Sequence, residues 1–209
     1  MVNLVNHLIN GSINLSAIRQ ISEVAGLLHR LKWAPSHAGN FSLRLGQMLL
    51  TKISGARMKQ IYHNPLPYLC LVYPAHTGCR FTVKPADALP TEEICAHILS
   101  QRIIARYRPQ EKWILHSHPG TIIRFSLEHT PDAVISVLKR QRTLAVSAIP
   151  FFPAGSRELA RATAKAFRYA RVVIWCGHGA IASGKTLRTA FERIRAVNEQ
   201  MKKETASET

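Results

Sequence analysis

Short runs of alternating apolar residues come in pairs along this chain, and helical-period segments separate the pairs. That order constrains the fold more than any single motif. "GNFSLRL" (39–45) and "QMLLTKIS" (47–54) read as the two arms of an antiparallel hairpin. "PYLCLVYP" and "CRFTVKP" read as a second hairpin turned at "AHTG", and "RVVIWCGHGAIASG" (171–184) as two further strands with a tight turn. Single strands are expected at 113–118 and at "AVSAIPFFP". Helical spacing runs over 14–31, with Ser16 as candidate N-cap, and over 120–128, 131–141 and 156–170, the last behind a serine cap. The segment "PTEEICAHILSQRIIARYR" (90–108) starts with Pro90, with Thr91 as candidate cap and Glu92 and Glu93 in the first turn, where carboxylates suit the helix dipole. "TLRTAFERIRAVNEQMKK" closes the chain as a long helix, and residues 201–209 are expected to fray. Hairpins alternating with helices predict an antiparallel or mixed sheet covered by helices: one α/β layered domain over 1–209.

The chain's 209 residues suit one ordinary domain, and an apolar fraction of 46% supplies its core. No apolar run is long enough for a membrane-spanning helix. The opening "MVNLVNHLINGS" has no basic head and its apolar run is broken by Asn and His, so no secretory leader is expected. Cys70, Cys79, Cys95 and Cys176 are irregularly spaced with no CxxC, which predicts reduced, mostly buried thiols and a cytoplasmic location. Lys and Arg total 28 against 12 acids, a formal charge of +16 that attracts anions. The basic residues are spread along helices, with no Lys/Arg block and no nucleic-acid-binding signature. Solvated helix faces are therefore the expected reading, and nucleic acid is not the expected partner.

Chemistry concentrates in "WILHSHPG" (113–120). Side chains alternate along a strand, so His116 and His118 point to one side. His178 ends a later apolar strand between Gly177 and Gly179, whose small size admits close approach of backbone and ligand. Three neutral imidazoles are a sufficient ligand set for a catalytic divalent metal, zinc foremost, with positions open for substrate. By spacing alone, a His-x-His strand is also compatible with a packed core. Glu93 is the candidate carboxylate base beside such a cation, although an acid pair at that position more commonly serves only to start a helix. His97, one turn later, reads as a packing or hydrogen-bonding histidine. The turns "AGN" (38–40) and "ISGARM" (53–58), helped by the Asn40 and Ser54 side chains, are candidate phosphate cradles.

In this order, "HAGNFSLRL", "LTKISGARM", "LPTEEICAHIL", "ILHSHP" and "VVIWCGHGAIASGKTLRTAFERI" resemble the class II aldolase/adducin family over about residues 14–200, and within it the rhamnulose-1-phosphate aldolase branch. The resemblance implies an α/β/α fold around a mostly antiparallel central sheet, assembled as a homotetramer with active sites at subunit interfaces. It implies His116, His118 and His178 as ligands of one zinc ion (Zn2+) per chain and Glu93 as the catalytic acid/base. Substrate phosphate falls to Gly39, Asn40, Ser54, Gly55 and Thr91. The implied reaction is reversible cleavage of a ketose 1-phosphate, of rhamnulose or fuculose type, to dihydroxyacetone phosphate and a small aldehyde, with the metal offsetting carbanionic charge as a Lewis acid. The implied partner is thus a small phosphorylated sugar, with neither membrane nor nucleic acid. Same-family alternatives are a dehydratase of the methylthioribulose-1-phosphate type and an epimerase, the latter disfavoured by Glu rather than Asp at 93. A non-catalytic adducin-like interaction domain would be expected to lose metal ligands that are intact here.

Two departures from the family pattern bear on the substrate. Glu92 stands where the aldolases usually carry a small hydroxyl residue, and a carboxylate beside a phosphate costs Coulomb energy. Either Glu92 points away or the substrate lacks phosphate at that end, with Arg57 or Lys52 near the Ser-Gly turn able to compensate. The segment 120–150 is also shorter than in rhamnulose-phosphate aldolases and basic where those enzymes carry an extra active-site glutamate, which predicts a different aldehyde-side pocket.

Overall fold

Alternation along β1 (Asn40–Leu45) sends Phe41 and Leu43 into the main apolar core and Asn40 and Ser42 to the opposite face. β2 (Met48–Lys52) pairs with it antiparallel, Ser42 opposite Thr51. The computed structural model describes residues 13–139 and 144–207. The expectation of no leader in 1–12 and the basic stretch at 140–143 fall on residues outside those described. Around this hairpin the chain runs α1 (Leu15–Arg30), β1, β2, α2 (Met58–His63), a 3-10 turn, β3 (Leu69–Pro74), β4 (Phe81–Lys84), α3 (Ile94–Tyr107) and β5 (Trp113–Ser117). It continues through α4 (Gly120–Glu128), α5 (Pro131–Lys139), β6 (Val146–Ile149), α6 (Arg157–Ala166), β7 (Val172–Trp175), β8 (Gly179–Gly184) and α7 (Leu187–Ser207).

The strands form one sheet in the order β4-β3-β2-β1-β5-β8-β7-β6, antiparallel throughout except for the parallel β6–β7 pair. The larger core fills the face covered by α1, α2, α4, α5 and α7, where Phe41, Leu115 and Ile174 meet Leu28, Phe125 and Phe191. On the other face Ile114, Trp175 and Ile181 pack against Ala96 and Ile104 of α3 and Leu159 of α6. This is the expected α/β/α arrangement around a mostly antiparallel sheet. Burial on both faces explains why β5 and β7 read as nearly continuous apolar runs rather than alternating ones.

Several local expectations are corrected. The cap of α1 is Asn14, whose side chain accepts from the Ala17 N–H at 2.8 Å, and not Ser16, which lies inside the first turn. α3 begins at Ile94, so Thr91 is not its cap and Glu92 and Glu93 precede it; Glu93 occupies the N-cap position without bonding the helix through its side chain. Cys79 and Cys95 form a disulfide that ties the β3–β4 turn to the first turn of α3, so only Cys70 and Cys176 are the expected buried thiols. α7 continues to Ser207 with Met201 fully buried, and therefore occupies most of the segment expected to fray.

The far end of α3 is held by Glu111. Its carboxylate accepts from Ser183 Oγ at 2.6 Å, Arg193 at 2.9 Å and Arg108 at 3.1 Å, with Arg171 at 3.3 Å. Burial pushes the carboxyl up, but Ser183, Arg193 and Arg108 outweigh it and hold the group below the usual range. One buried acid thus pins the end of α3 to β8 and α7, which fixes where the start of α3 can lie.

Candidate active site

His116 stands opposite Asn40 on the β1–β5 ladder and opposite Ile181 on the β5–β8 ladder, at the centre of the sheet. His118 follows just past the strand end, and His178 sits in the turn that joins β7 to β8, its N–H bonded to Trp175 O at 2.9 Å. The β8 strand can start this close to β5 because position 179 is glycine. A Cβ there would lie 2.5 Å from the Ser117 carbonyl oxygen and 3.3 Å from the His116 ring. Gly39 plays the same part before β1: its φ is +70°, and a Cβ would lie 3.3 Å from the His116 carbonyl oxygen.

The three rings converge. One nitrogen from each of His116, His118 and His178 lies within 4.8 Å of the others, and the His116 and His118 Nε2 atoms are 2.7 Å apart. His116 Nδ1 donates to Ala180 O at 3.0 Å, which fixes the proton there and leaves the Nε2 lone pair for the centre of the cluster. Trp175 lies against the His116 ring, centroids 4.4 Å apart. Burial, then the neighbouring His178, pushes His116 well below its ordinary titration range, although Ala180 opposes the shift. His118 is pushed down to about 3 by burial and then by His116 and His178; burial also lowers His178, with Glu93 opposing. All three imidazoles are therefore neutral near pH 7, the form in which they ligate a cation. Convergent neutral nitrogens, one with its second nitrogen anchored to a carbonyl, fit a divalent metal of the zinc type.

Glu93 faces this cluster. Because its side chain does not cap α3, its carboxylate turns inward, with Oε1 3.4 Å from His178 Nε2 and 3.7 Å from His116 Nε2. Oε2 accepts a hydrogen bond from Asn40 Nδ2. Asn40 Oδ1 in turn accepts from His97 Nε2 at 2.6 Å, and His97 Nδ1 meets Ser42 Oγ at 2.8 Å. Ser42 Oγ accepts from Gln101 Nε2 at 3.1 Å. An amide oxygen only accepts, so His97 carries its proton on Nε2 and Ser42 donates to Nδ1. The result is a one-way chain of donors, Gln101 to Ser42 to His97 to Asn40 to Glu93, buried beneath the sheet end. His97 is pushed down to about 4, by burial first and against the pull of Glu93, and stays neutral.

Above the histidines opens a cleft of about 270 Å3. Gly39, Asn40, Ser54, Gly55 and Thr91, the residues that the resemblance assigns to phosphate, all line it, as do Glu93, His118 and His178. His116 forms the floor beneath, fully buried. Both ends of the Asn40 amide are engaged, by Glu93 and His97, so one Nδ2 proton is left for a ligand. Glu92 lies at the exposed rim. Sequence reasoning did not single out Trp175 or the chain behind Glu93. The signal for the latter was the in-phase set Asn40, Ser42 with His97, Gln101: polar residues at strand and helix spacings that must bury together.

The profile of the family described as Class II Aldolase and Adducin N-terminal domain matches residues 19–204. A rhamnulose-1-phosphate aldolase of Listeria welshimeri is 25% identical over 90% of this chain and 73% of its own length. Among solved structures, a sugar-phosphate aldolase from Thermotoga maritima superposes with a TM-score of 0.77 at 22% identity, covering 90% of this chain and 92% of its own. An L-fuculose-1-phosphate aldolase from Thermus thermophilus gives a TM-score of 0.67 at 22% identity, covering 92% and 93%. With the fold shared across those structures and the profile spanning nearly all of it, the chain belongs to the class II aldolase and adducin family.

Proposed function

We propose that this protein is a zinc-dependent lyase that reversibly cleaves a ketose 1-phosphate to dihydroxyacetone phosphate and a small aldehyde. The observation that carries the reading is the Glu93 carboxylate, 3.4 Å from His178 at the floor of a cleft built on three convergent neutral histidines. His116, His118 and His178 would hold the cation, one per chain. Bound there, it supplies Lewis-acid stabilisation of the negative charge that develops when the carbon–carbon bond breaks. Glu93 holds and returns the proton at the nucleophilic carbon, and Asn40 keeps the carboxylate aimed by donating to its other oxygen. Gly39, Asn40, Ser54, Gly55 and Thr91 would receive the substrate phosphate. No helix among the described residues is long and apolar enough to cross a membrane, while the Cys79–Cys95 disulfide removes the reduced-thiol argument for a cytoplasmic location. A homotetramer with sites at its interfaces is supported by Leu127 and Phe151, both exposed and both packed against Gly177 beside His178.

The test is a condensation screen of dihydroxyacetone phosphate with a panel of aldehydes, run on the wild type and on Glu93→Gln. A ketose 1-phosphate should form with at least one aldehyde. Glu93→Gln should keep its metal and lose about 10²- to 10⁴-fold in turnover. Loss of water from a ketose phosphate without carbon–carbon cleavage, or full turnover in Glu93→Gln, would contradict the reading.

A further inference from the structure

Basic residues that read one by one as solvated helix positions gather on the outer side of α3 and α6. Arg157, Arg161 and Lys165 recur at every fourth residue of α6 and form one exposed stripe, and Arg168 follows in the turn past the helix end. At the helical rise the stripe runs about 16 Å. α3 packs beside α6 on the same face of the sheet, with Ala96 and Ile104 sharing a core with Leu159 and Ala160. Where the two helices start, Arg157, Arg161 and the exposed Arg80 line a cavity of about 460 Å3 together with Cys95 and Leu99. Where they end, Arg168 lies over two rings, 5.9 Å from the centre of Tyr107 and 5.6 Å from that of Tyr169, and Arg106 lies over Tyr107 at 5.6 Å. Tyr107 is 44% exposed and Tyr169 77%, so both keep ring surface open to a ligand. Among the described residues no carboxylate pairs with any of these cations. The acid on α6, Glu158, sits in the first turn, where the helix dipole favours it. None of these residues lines the cleft above the histidines.

We propose that the outer face of α3 and α6 binds single-stranded nucleic acid, with the α6 stripe following the phosphates and Tyr107 and Tyr169 receiving bases. Both halves of that partner are matched. A row of unpaired guanidinium and ammonium groups suits a chain of phosphates. Two exposed rings on either side of a guanidinium suit unstacked bases, whose faces a duplex keeps hidden. An acidic peptide would engage the cations and leave the rings idle. The charge forms no block along the sequence because the track is assembled in space, when the end of α3 meets the turn after α6 at Tyr107 and Arg168. The surface stands apart from the cleft, so this inference is independent of the aldolase reading.

Fluorescence anisotropy with labelled oligo(dT) and oligo(rU) of about 15 nucleotides, at about 50 and 200 mM salt, tests the proposal. The full chain should bind both with a Kd of about 1 to 100 μM at the lower salt and about 10- to 100-fold more weakly at the higher. The double variant Arg161→Gln with Lys165→Gln should flatten the log–log salt dependence by about 1.4, or about 0.7 for each lost phosphate contact. Tyr169→Ala should weaken binding by about 5- to 100-fold at either salt and leave the slope unchanged, while Tyr169→Phe, which keeps the ring, should bind like the wild type. Arg195→Gln removes a charge from α7 instead and should stay within about twofold of the wild type. No binding tighter than about 100 μM at the lower salt would overturn the proposal. So would a Tyr169→Ala that binds like the wild type, or a duplex of the same length that binds as tightly as the single strands. Polyglutamate that competes as well as unlabelled oligo(dT) would make this a surface for acidic proteins and overturn it too.

Discussion

His97 stands behind Glu93, the proposed acid/base, and acts on it through Asn40. Its ring must donate to Asn40 and accept from Ser42, and only the neutral form does both. The unfolded ring titrates near 6.5 and the folded one near 4, so between those values the unfolded chain binds more protons. Stability from this site is therefore fully present above pH 6.5 and drains away as the pH falls toward 4. Melting midpoints measured across that window should fall more steeply for the wild type than for His97→Gln; parallel slopes would remove His97 from the effect. His97→Leu should retain metal yet lose about 10- to 100-fold in turnover, with His97→Gln recovering part because an amide can both donate and accept. Much of the site at this scale was legible. Period-two spacing paired His116 with His118, glycines marked His178, and His97 read as a hydrogen-bonding histidine. Lys52 was not singled out for burial, since a lysine at a strand end ordinarily reads as solvated, and its burial follows from the His37 and Ala56 carbonyls meeting its Nζ.

Among the elements, the start of α3 matters most. Proline, threonine and two acids announced a helix at 90–108, and the helix is there, but it begins at Ile94. The shift decides where Glu93 points: had its side chain bonded the helix end, it could not face the histidines. What fixes the true start is tertiary, namely the Thr91 N–H bonded to Lys52 O at 3.3 Å, the disulfide at Cys95, and Glu111 at the other end. The cysteines misled because a separation of 16 residues carries no sign that a hairpin turn folds back onto a helix. Closing a loop of that length restricts the unfolded chain, so Cys79→Ala should lower stability toward denaturant by about 3 kcal/mol under oxidising conditions and change nothing under strong reductant. A thiol titration of the native protein that finds four free cysteines would contradict the pairing.

For the molecule as a whole, hairpin partners were readable and sheet order was not. Tight turns announced β1–β2, β3–β4 and β7–β8. Nothing local announced that β5 would separate β1 from β8, yet that insertion brings Asn40, His116 and the turn holding His178 to one end of the sheet. Three histidines spread over 63 residues, 116 to 178, become one site only in the assembled sheet. The charge of +16 belongs to the same scale, as a field that attracts anions in general. Metal stoichiometry probes the assembled site most directly. Equilibrium dialysis against zinc, followed by metal analysis, should find about one tightly held ion per folded chain, and His178→Ala should lose most of it while His129→Ala keeps it. A folded wild type that retains no stoichiometric zinc, manganese or cobalt after dialysis, or a His178→Ala that binds as tightly as the wild type, would contradict convergence of the three imidazoles on one cation.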